Sequence, residues 1–288
     1  MTYLVTGATG GLGGYALRHL MTMVPANDIV ALARSEGKAE ALCALGVEVR
    51  IADYADRESL GKAFSGVDRM LFISGATGNR RTEHTNVVEM AVQAGVSFIA
   101  YTSFAHADQV DNFLSADHQF TEGIIADSGV AHTFLRNNWY LENEMPLLTA
   151  AMASGELVTA AGDATVGWAL KREYGEAAAR VLAGGCDYPE VVELSGPATT
   201  YAQLGAALAE ATGKDIAVRH LTGTNFSESL QTHGLSAQAA QGILGVQQLI
   251  GSGDLEVASG DFATVLGRPL TPLVQGLKEV LGLTSKRS

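Results

Sequence analysis

Short apolar runs alternate with amphipathic stretches through the first half of the chain. Tyr3–Thr6, Ile29–Ala33, Val47–Ile51, Met70–Ser74, Phe98–Ser103 and His132–Leu135 are short, apolar and rich in β-branched or aromatic residues, so they predict strands. Helical spacing of apolar positions falls between them, over Gly14–Met23, Lys38–Leu45, Glu58–Phe64, Glu83–Ala94 and Gln119–Asp127. Asp56 suits an N-cap for the third of these helices. The strand candidates are continuous apolar runs with little polar alternation, as a sheet covered on both faces requires. Regular alternation of the two patterns predicts βαβ units and a parallel sheet.

The second half is less regular. Glu156–Ala160, Glu190–Leu194 and Ile216–His220 predict strands, and Arg172–Leu182, Tyr201–Thr212, Phe226–His233, Ala237–Ile250 and Pro272–Leu281 predict helices. Pro272 fits the first turn of the last helix. The expected plan is α/β: a nucleotide-binding domain over residues 1–150 and a smaller α/β domain over residues 151–288 that faces the substrate. The boundary is soft, with elements exchanged between the two.

The first strand candidate runs into Gly7-Ala8-Thr9-Gly10-Gly11-Leu12-Gly13, and a helix pattern follows. A strand that turns through glycines into a helix is a phosphate-binding device. Missing side chains let the backbone approach a pyrophosphate, and the helix N-terminus offers N–H donors and partial positive charge. The spacing is G-x-x-G-x-x-G rather than G-x-G-x-x-G, but the strand and helix the motif needs flank it on both sides. The predicted fold is therefore a Rossmann-type doubly wound sheet that binds a dinucleotide.

Composition narrows the function. The 288 residues carry a formal net charge of -12, which argues against nucleic acid and against anionic membrane surfaces. No apolar run is long enough to span a bilayer. The first strand begins almost at Met1, so no secretory leader is expected, and a reducing cytoplasm suits the two cysteines. Cys43 and Cys186 are far apart, outside any C-x-x-C, and imply neither disulfide nor zinc. Cys43 lies in an apolar stretch and is expected to be buried. The seven histidines contain no H-x-x-x-H pair, and no metal site is expected.

Other candidates sit at predicted strand ends. Arg34 ends the second strand, where an NAD-specific fold usually carries Asp or Glu against the ribose 2′-hydroxyl. A cation there, with Ser35 and Lys38 nearby, favours NADPH over NADH. Asp53 follows the third strand and suits either an adenine amino group or a turn cap. Ser74, Gly75, Thr102 and Ser103 fall on the carboxyl edge, where ligands of open α/β sheets bind. Asn137, Asn138, Trp139 and Tyr140 follow the sixth strand, as ligands of carboxamide or phosphate groups or as turn residues. No G-x-S-x-G elbow and no Walker lysine occurs. His118, early in the helix after strand five, suits either a proton donor near neutral pH or a surface cap.

The glycine turn, Arg34, Ala52-Asp53-Tyr54, Phe98–Ser103, Leu135–Tyr140, Ala161-Gly162-Asp163 and Lys171–Tyr174 together resemble the NmrA-like group of atypical short-chain dehydrogenases. Within it the chain is most similar to bacterial NAD(P)H:quinone oxidoreductases, with triphenylmethane reductases close behind. The resemblance implies NADPH lying across Gly7–Gly13, Arg34, the Ser74-Gly75 loop and the segment from Asn137 to Glu142, with Lys171 nearby. It implies a quinone or similar acceptor, hydride transfer without flavin, and leaves a homodimer open. None of the eight tyrosines has a lysine four positions later, and the lysine some relatives carry near the position of His118 is absent. Alcohol–ketone chemistry by a Tyr-x-x-x-Lys pair is therefore not expected. A quinone needs less help, since its product phenolate is already stabilised. Phe104, Trp139, Tyr140 and Trp168 are candidates to line an acceptor slot or to fill the core. The other function class the resemblance allows is a non-catalytic dinucleotide sensor.

Overall fold

The computed structural model describes residues 1–75 and 78–283 and divides the chain into two compact units. The first comprises Met1–Asn137, Lys171–Leu194 and Asp261–Arg268. Its leading elements are β1 (Tyr3–Val5), α1 (Gly11–Leu20), β2 (Ile29–Ala33), α2 (Glu36–Cys43), β3 (Glu48–Ile51), α3 (Arg57–Phe64), β4 (Arg69–Phe72), α4 (Arg80–Gln93), β5 (Phe98–Phe104), α5 (Ser115–Asp127) and β6 (Ala131–Asn137). The chain then forms α6 (Met145–Ser154), β7 (Glu156–Thr159) and β8 (Thr165–Val166), followed by α7 (Lys171–Ala183) and β9 (Val191–Leu194). Beyond these come β10 (Thr199–Thr200), α8 (Tyr201–Thr212), β11 (Ala217–His220), α9 (Gly223–Thr232), α10 (Ala237–Gly251), α11 (Asp261–Leu266) and α12 (Leu273–Val280).

Seven strands of the first unit form one sheet in the order β3-β2-β1-β4-β5-β6-β9, and every pair is parallel. The order reverses between β1 and β4, the switch point at which open α/β sheets bind ligands. Alternate side chains of the strands face opposite layers. Leu4, Val30, Leu32, Met70, Phe72, Ile99 and Tyr101 join Leu60 and Phe64 of α3 and Val87 and Val88 of α4 in one core. Against the other face, α7 lies along α1. A Cβ on Gly175 would come within 2.5 Å of the Tyr15 Cβ, so only glycine permits this approach. Asp56 caps α3 by accepting from the Glu58 N–H, as predicted.

The second unit comprises Asn138–Leu170, Ser195–Gly260 and Pro269–Ser288. It holds a parallel pair, β7 with β11, a short antiparallel pair, β8 with β10, and helices α6, α8, α9, α10 and α12. The expected boundary near residue 150 falls inside α6, whereas the first unit ends at Asn137 and resumes at Lys171. The physical cause is the sheet itself. Its seventh strand, β9, comes from beyond residue 190 and pairs with β6 (Leu135 against Val192).

Cys43 is exposed, contrary to the sequence expectation, as is Cys186. The buried face of α2 runs through Ala39 and Leu42. Cys43 is one residue further round the helix, about 100° from Leu42, and points to solvent.

Candidate functional site

The glycine turn lies where the sequence places it, between β1 and α1. Helix α1 starts at Gly11, one turn earlier than the propensity pattern suggests, with Gly10 as N-cap. Gly7 has φ +59° and its carbonyl accepts from the Gly10 N–H at 2.9 Å, which closes the turn. Helix packing makes Gly13 obligatory: a Cβ there would sit 2.6 Å from the Gly7 carbonyl carbon and closer still to its oxygen. Thr9, Gly10 and Gly11 are exposed, and the first turn of α1 carries no acidic residue. Its leading N–H groups have no acceptor inside the helix. Lys171, the first residue of α7, lays its side chain across Gly11, with its Cδ 3.2 Å from where a Gly11 Cβ would be. Free amide donors, the helix dipole and a lysine thus converge on one point, which suits a pyrophosphate.

A cavity of about 440 Å³ opens from this turn along the carboxyl edge. It is lined by Gly7, Thr9 and Gly10 at one end, Arg34 just after β2, Lys38 of α2, Asp53 and Tyr54 after β3, Ser74 and Gly75 after β4, and Glu83 of α4. Arg34 is exposed, and among the described residues neither it nor Lys38 has a carboxylate within ion-pair distance. Two cations outside ion-pair distance of any described carboxylate, at the wall of a polar cavity, suit a phosphate. Asp53 takes the turn-cap role considered for it and also lines the cavity. Its Oδ1 caps the Ala55 N–H at 2.9 Å. Together the glycine cradle, the cation pair and the cavity fit a dinucleotide carrying a 2′-phosphate.

The loop after β4 is braced by Thr6 and Tyr54, to which sequence reasoning gave no such role, and by Thr102. The Thr6 hydroxyl accepts from the Ile73 N–H at 2.8 Å and from the Tyr54 hydroxyl at 2.6 Å. Burial pushes the Tyr54 hydroxyl well above its ordinary pKa, so it stays a neutral donor. Thr102 is itself buried, and its hydroxyl accepts from the Ser74 N–H at 2.9 Å, so it holds the loop rather than facing the cavity. These bonds join residues 28 to 67 positions apart, and no local motif announces them.

His118 departs from the role of a charged acid. It is 8% exposed, its Nδ1 is 2.9 Å from the Tyr101 hydroxyl, and its ring stacks on Phe104. Burial, with the Arg80 charge and His84 adding to it, lowers its pKa to about 3. The imidazole is neutral throughout the physiological range. A His118→Gln variant is therefore expected to leave the shape of the kcat/KM profile between pH 5.5 and 8 unchanged, as steady-state rates across that range would show.

Phe104 is 6% exposed against His118 and Trp168 is 5% exposed, so both are packing residues rather than the walls of an open slot. Asn137 ends β6 in the first unit, with its carbonyl accepting from the Ala105 N–H. Asn138, Trp139, Tyr140 and Glu142 belong to the second unit. There the Asn138 amide donates to Ser195 Oγ at 3.1 Å and to the Leu255 carbonyl at 3.0 Å, a structural use. Tyr140 bridges to Ala169, and Trp139 lines a small cavity of about 90 Å³ beside Glu144 and Gln247.

Glu144 anchors that second unit. Its carboxylate accepts from Trp168 Nε1 at 3.1 Å and from the Tyr201 hydroxyl at 3.1 Å, and Gln247 in turn donates to Tyr201. Burial outweighs these donors and raises its pKa from 4.5 to about 7. A raised carboxyl pKa means the neutral form is favoured in the folded state. Its contribution to stability is therefore full below pH 4.5 and declines as pH rises through 7. Chemical denaturation at pH 5 and pH 8 should show wild type losing on the order of 1–3 kcal/mol more than Glu144→Gln, which cannot ionise.

Known proteins carry the same plan. The NAD(P)H-binding family profile matches residues 7–164. Over 283 residues the chain is 38% identical to Quinone oxidoreductase 2 of Escherichia coli K12, covering 98% of this chain and 99% of that one. The solved structure of NADPH-dependent quinone oxidoreductase from Escherichia coli complexed with NADPH superposes with a TM-score of 0.91 at 39% identity, over 98% of this chain and all of that one. Triphenylmethane reductase from Citrobacter sp. superposes with a TM-score of 0.93 at 35% identity, again over 98% and 100%. The glycine turn, the switch-point cavity and these full-length likenesses agree, and the chain belongs to the NAD(P)H-binding family, in its NmrA-like group.

Proposed function

We propose that this protein is an NADPH-dependent reductase that passes a hydride directly to a quinone or similar conjugated acceptor. The observation that carries the reading is the glycine cradle opening into a cavity with Arg34 and Lys38 at its far wall. Support also comes from the full-length likeness to a quinone oxidoreductase. NADPH, when bound, supplies the hydride. The α1 N-terminus and Lys171 take the pyrophosphate. Arg34 and Lys38 take the 2′-phosphate, and Asp53, Ser74 and Gly75 wall the adenosine half. The second unit, with Trp139, Tyr140 and Glu142 at its start, is assigned to the acceptor side.

His118, the candidate acid, is neutral, which favours a reaction that needs no charged acid. The reaction balances without one. The acceptor gains a hydride, becomes a hydroquinone monoanion, and takes one proton from solvent. The protein then contributes position and electrostatics rather than acid catalysis. The test is NADPH oxidation by the purified, flavin-free protein against benzoquinones, naphthoquinones and a triphenylmethane dye. Turnover with quinones supports the reading. A protein that binds NADPH and reduces none of them would be a sensor.

Lys171→Ala is expected to weaken NADPH and NADH alike, by about three- to tenfold. Its ammonium meets the pyrophosphate that both cofactors share. Titration with the two cofactors checks this.

A further inference from the structure

Two polar side chains at the start of α4 grip the backbone of a single residue, Gly75, on both sides of its Cα. His84 Nε2 accepts from the Gly75 N–H at 3.0 Å, and Arg80 donates to the Gly75 carbonyl from Nε at 3.1 Å and Nη2 at 2.8 Å. The tautomer follows from the donors. Thr121 Oγ1 spends its proton on the Asp117 carbonyl at 2.8 Å, so the 2.7 Å contact with His84 Nδ1 places the imidazole proton on Nδ1. Nε2 is left as a neutral acceptor facing Gly75.

The surroundings keep it so. Tyr54, Phe72 and Tyr101 enclose the ring edge-on or nearly so, Arg80 repels a second proton, and Asp117 favours one more weakly. Glu83, the preceding residue, faces the cavity beside Gly75. Burial dominates, and the imidazole pKa is about 3.

This arrangement is costly. His84 is fully buried and Arg80 is 7% exposed. Among the described residues no carboxylate pairs with Arg80, and its Nη1 is buried without a hydrogen-bond partner. Taking a guanidinium out of water with no counter-charge beside it disfavours the folded state. Its return is at Gly75, a residue that lines the cavity and whose backbone is held at both its N–H and its C=O.

We infer that Arg80 and His84 are positioning residues that preorganise the adenosine end of the cofactor site by fixing the backbone on both sides of Gly75. The inference rests on the NADPH reading above. Fixing a binding wall in its bound geometry raises affinity by lowering the ordering cost on binding. Because the wall lies at the adenosine end, the effect falls on cofactor affinity and not on the hydride step.

The test compares His84→Leu, His84→Gln and Arg80→Met with wild type. Each is titrated with NADPH and with 2′,5′-ADP, a probe of the adenosine half alone, and kcat is measured at saturating NADPH. Leu fills the space without an acceptor, whereas Gln offers a neutral carbonyl acceptor. His84→Leu and Arg80→Met should raise Kd for both probes about tenfold, with kcat within about twofold of wild type. His84→Gln should recover most of the affinity. Folded Leu and Met variants that bind both probes like wild type would overturn the inference, as would a folded Gln variant no better than Leu. Should His84→Leu fail to fold, Arg80→Met decides by the same measurements. Wild type that binds neither probe would instead remove the cofactor assignment itself.

Discussion

Gly13→Ala is expected to lose about 1–3 kcal/mol of stability and at least about tenfold in NADPH affinity. The added methyl would overlap the Gly7 carbonyl, and neither atom can rotate away, since both are backbone or bonded directly to it. Relief requires α1 to lift off β1, which moves the very N–H groups assigned to the pyrophosphate. The neighbouring Gly14→Ala provides the contrast. Its Cβ would meet the Ala8 oxygen at 3.5 Å, an ordinary contact, and alanine is the better helix former. That variant should be neutral or stabilised by up to about 1 kcal/mol. Thermal denaturation and NADPH titration of the two variants, side by side, check both expectations. Similar losses at the two positions would mean that general helix disturbance, rather than the close approach at Gly13, sets the effect.

Arg34→Asp is expected to invert cofactor preference. The guanidinium faces the cavity at the end of β2 with Lys38 beside it. A charge-assisted contact with a 2′-phosphate contributes about 1.5–3 kcal/mol, and the exposure of Arg34 places it at the lower end. Arg34→Ala should then weaken NADPH about tenfold and leave NADH nearly unchanged. Arg34→Asp adds repulsion against the phosphate and an acceptor for the ribose hydroxyl, so NADH becomes the tighter ligand. Titration of both cofactors against wild type and the two variants measures this. Equal losses for NADH and NADPH would mean that Arg34 supports its loop instead of the phosphate.

Much of the fold was legible because the physics is local. Ile29–Ala33 is a strand as predicted, since five apolar residues in a row bury both faces of a central strand. Tyr201–Thr212 is a helix as predicted, and Thr200 with Gln203 closes its start as a capping box. What escaped was short or lacked a period. Met145–Ser154 is a helix whose buried Leu147, Leu148, Ala150 and Ala151 leave it apolar nearly all round, so no stripe stands out. The pairing of Thr165–Val166 with Thr199–Thr200 spans two residues and carries no pattern of its own. The candidate site divides in the same way. Gly7, Arg34, Asp53, Ser74 and Gly75 were legible because strand ends of a parallel sheet converge on one edge. Tyr54, Arg80 and His84 were not, because their hydrogen bonds depend on a side chain crossing a gap in space. For His118 and Trp168 residue type left chemistry open beside capping or core packing, and their burial depends on neighbours distant in sequence.

The most direct measurement of the central claim is the initial rate of quinone reduction by the flavin-free protein over a matrix of NADPH and quinone concentrations. Direct hydride transfer requires both molecules to be bound together. The account predicts turnover with intersecting double-reciprocal lines, and a loss in the Arg34→Ala variant that saturating NADPH restores. Parallel lines, which report a reduced enzyme form that outlives the oxidised cofactor, would contradict it, as would NADPH binding with no quinone reduced.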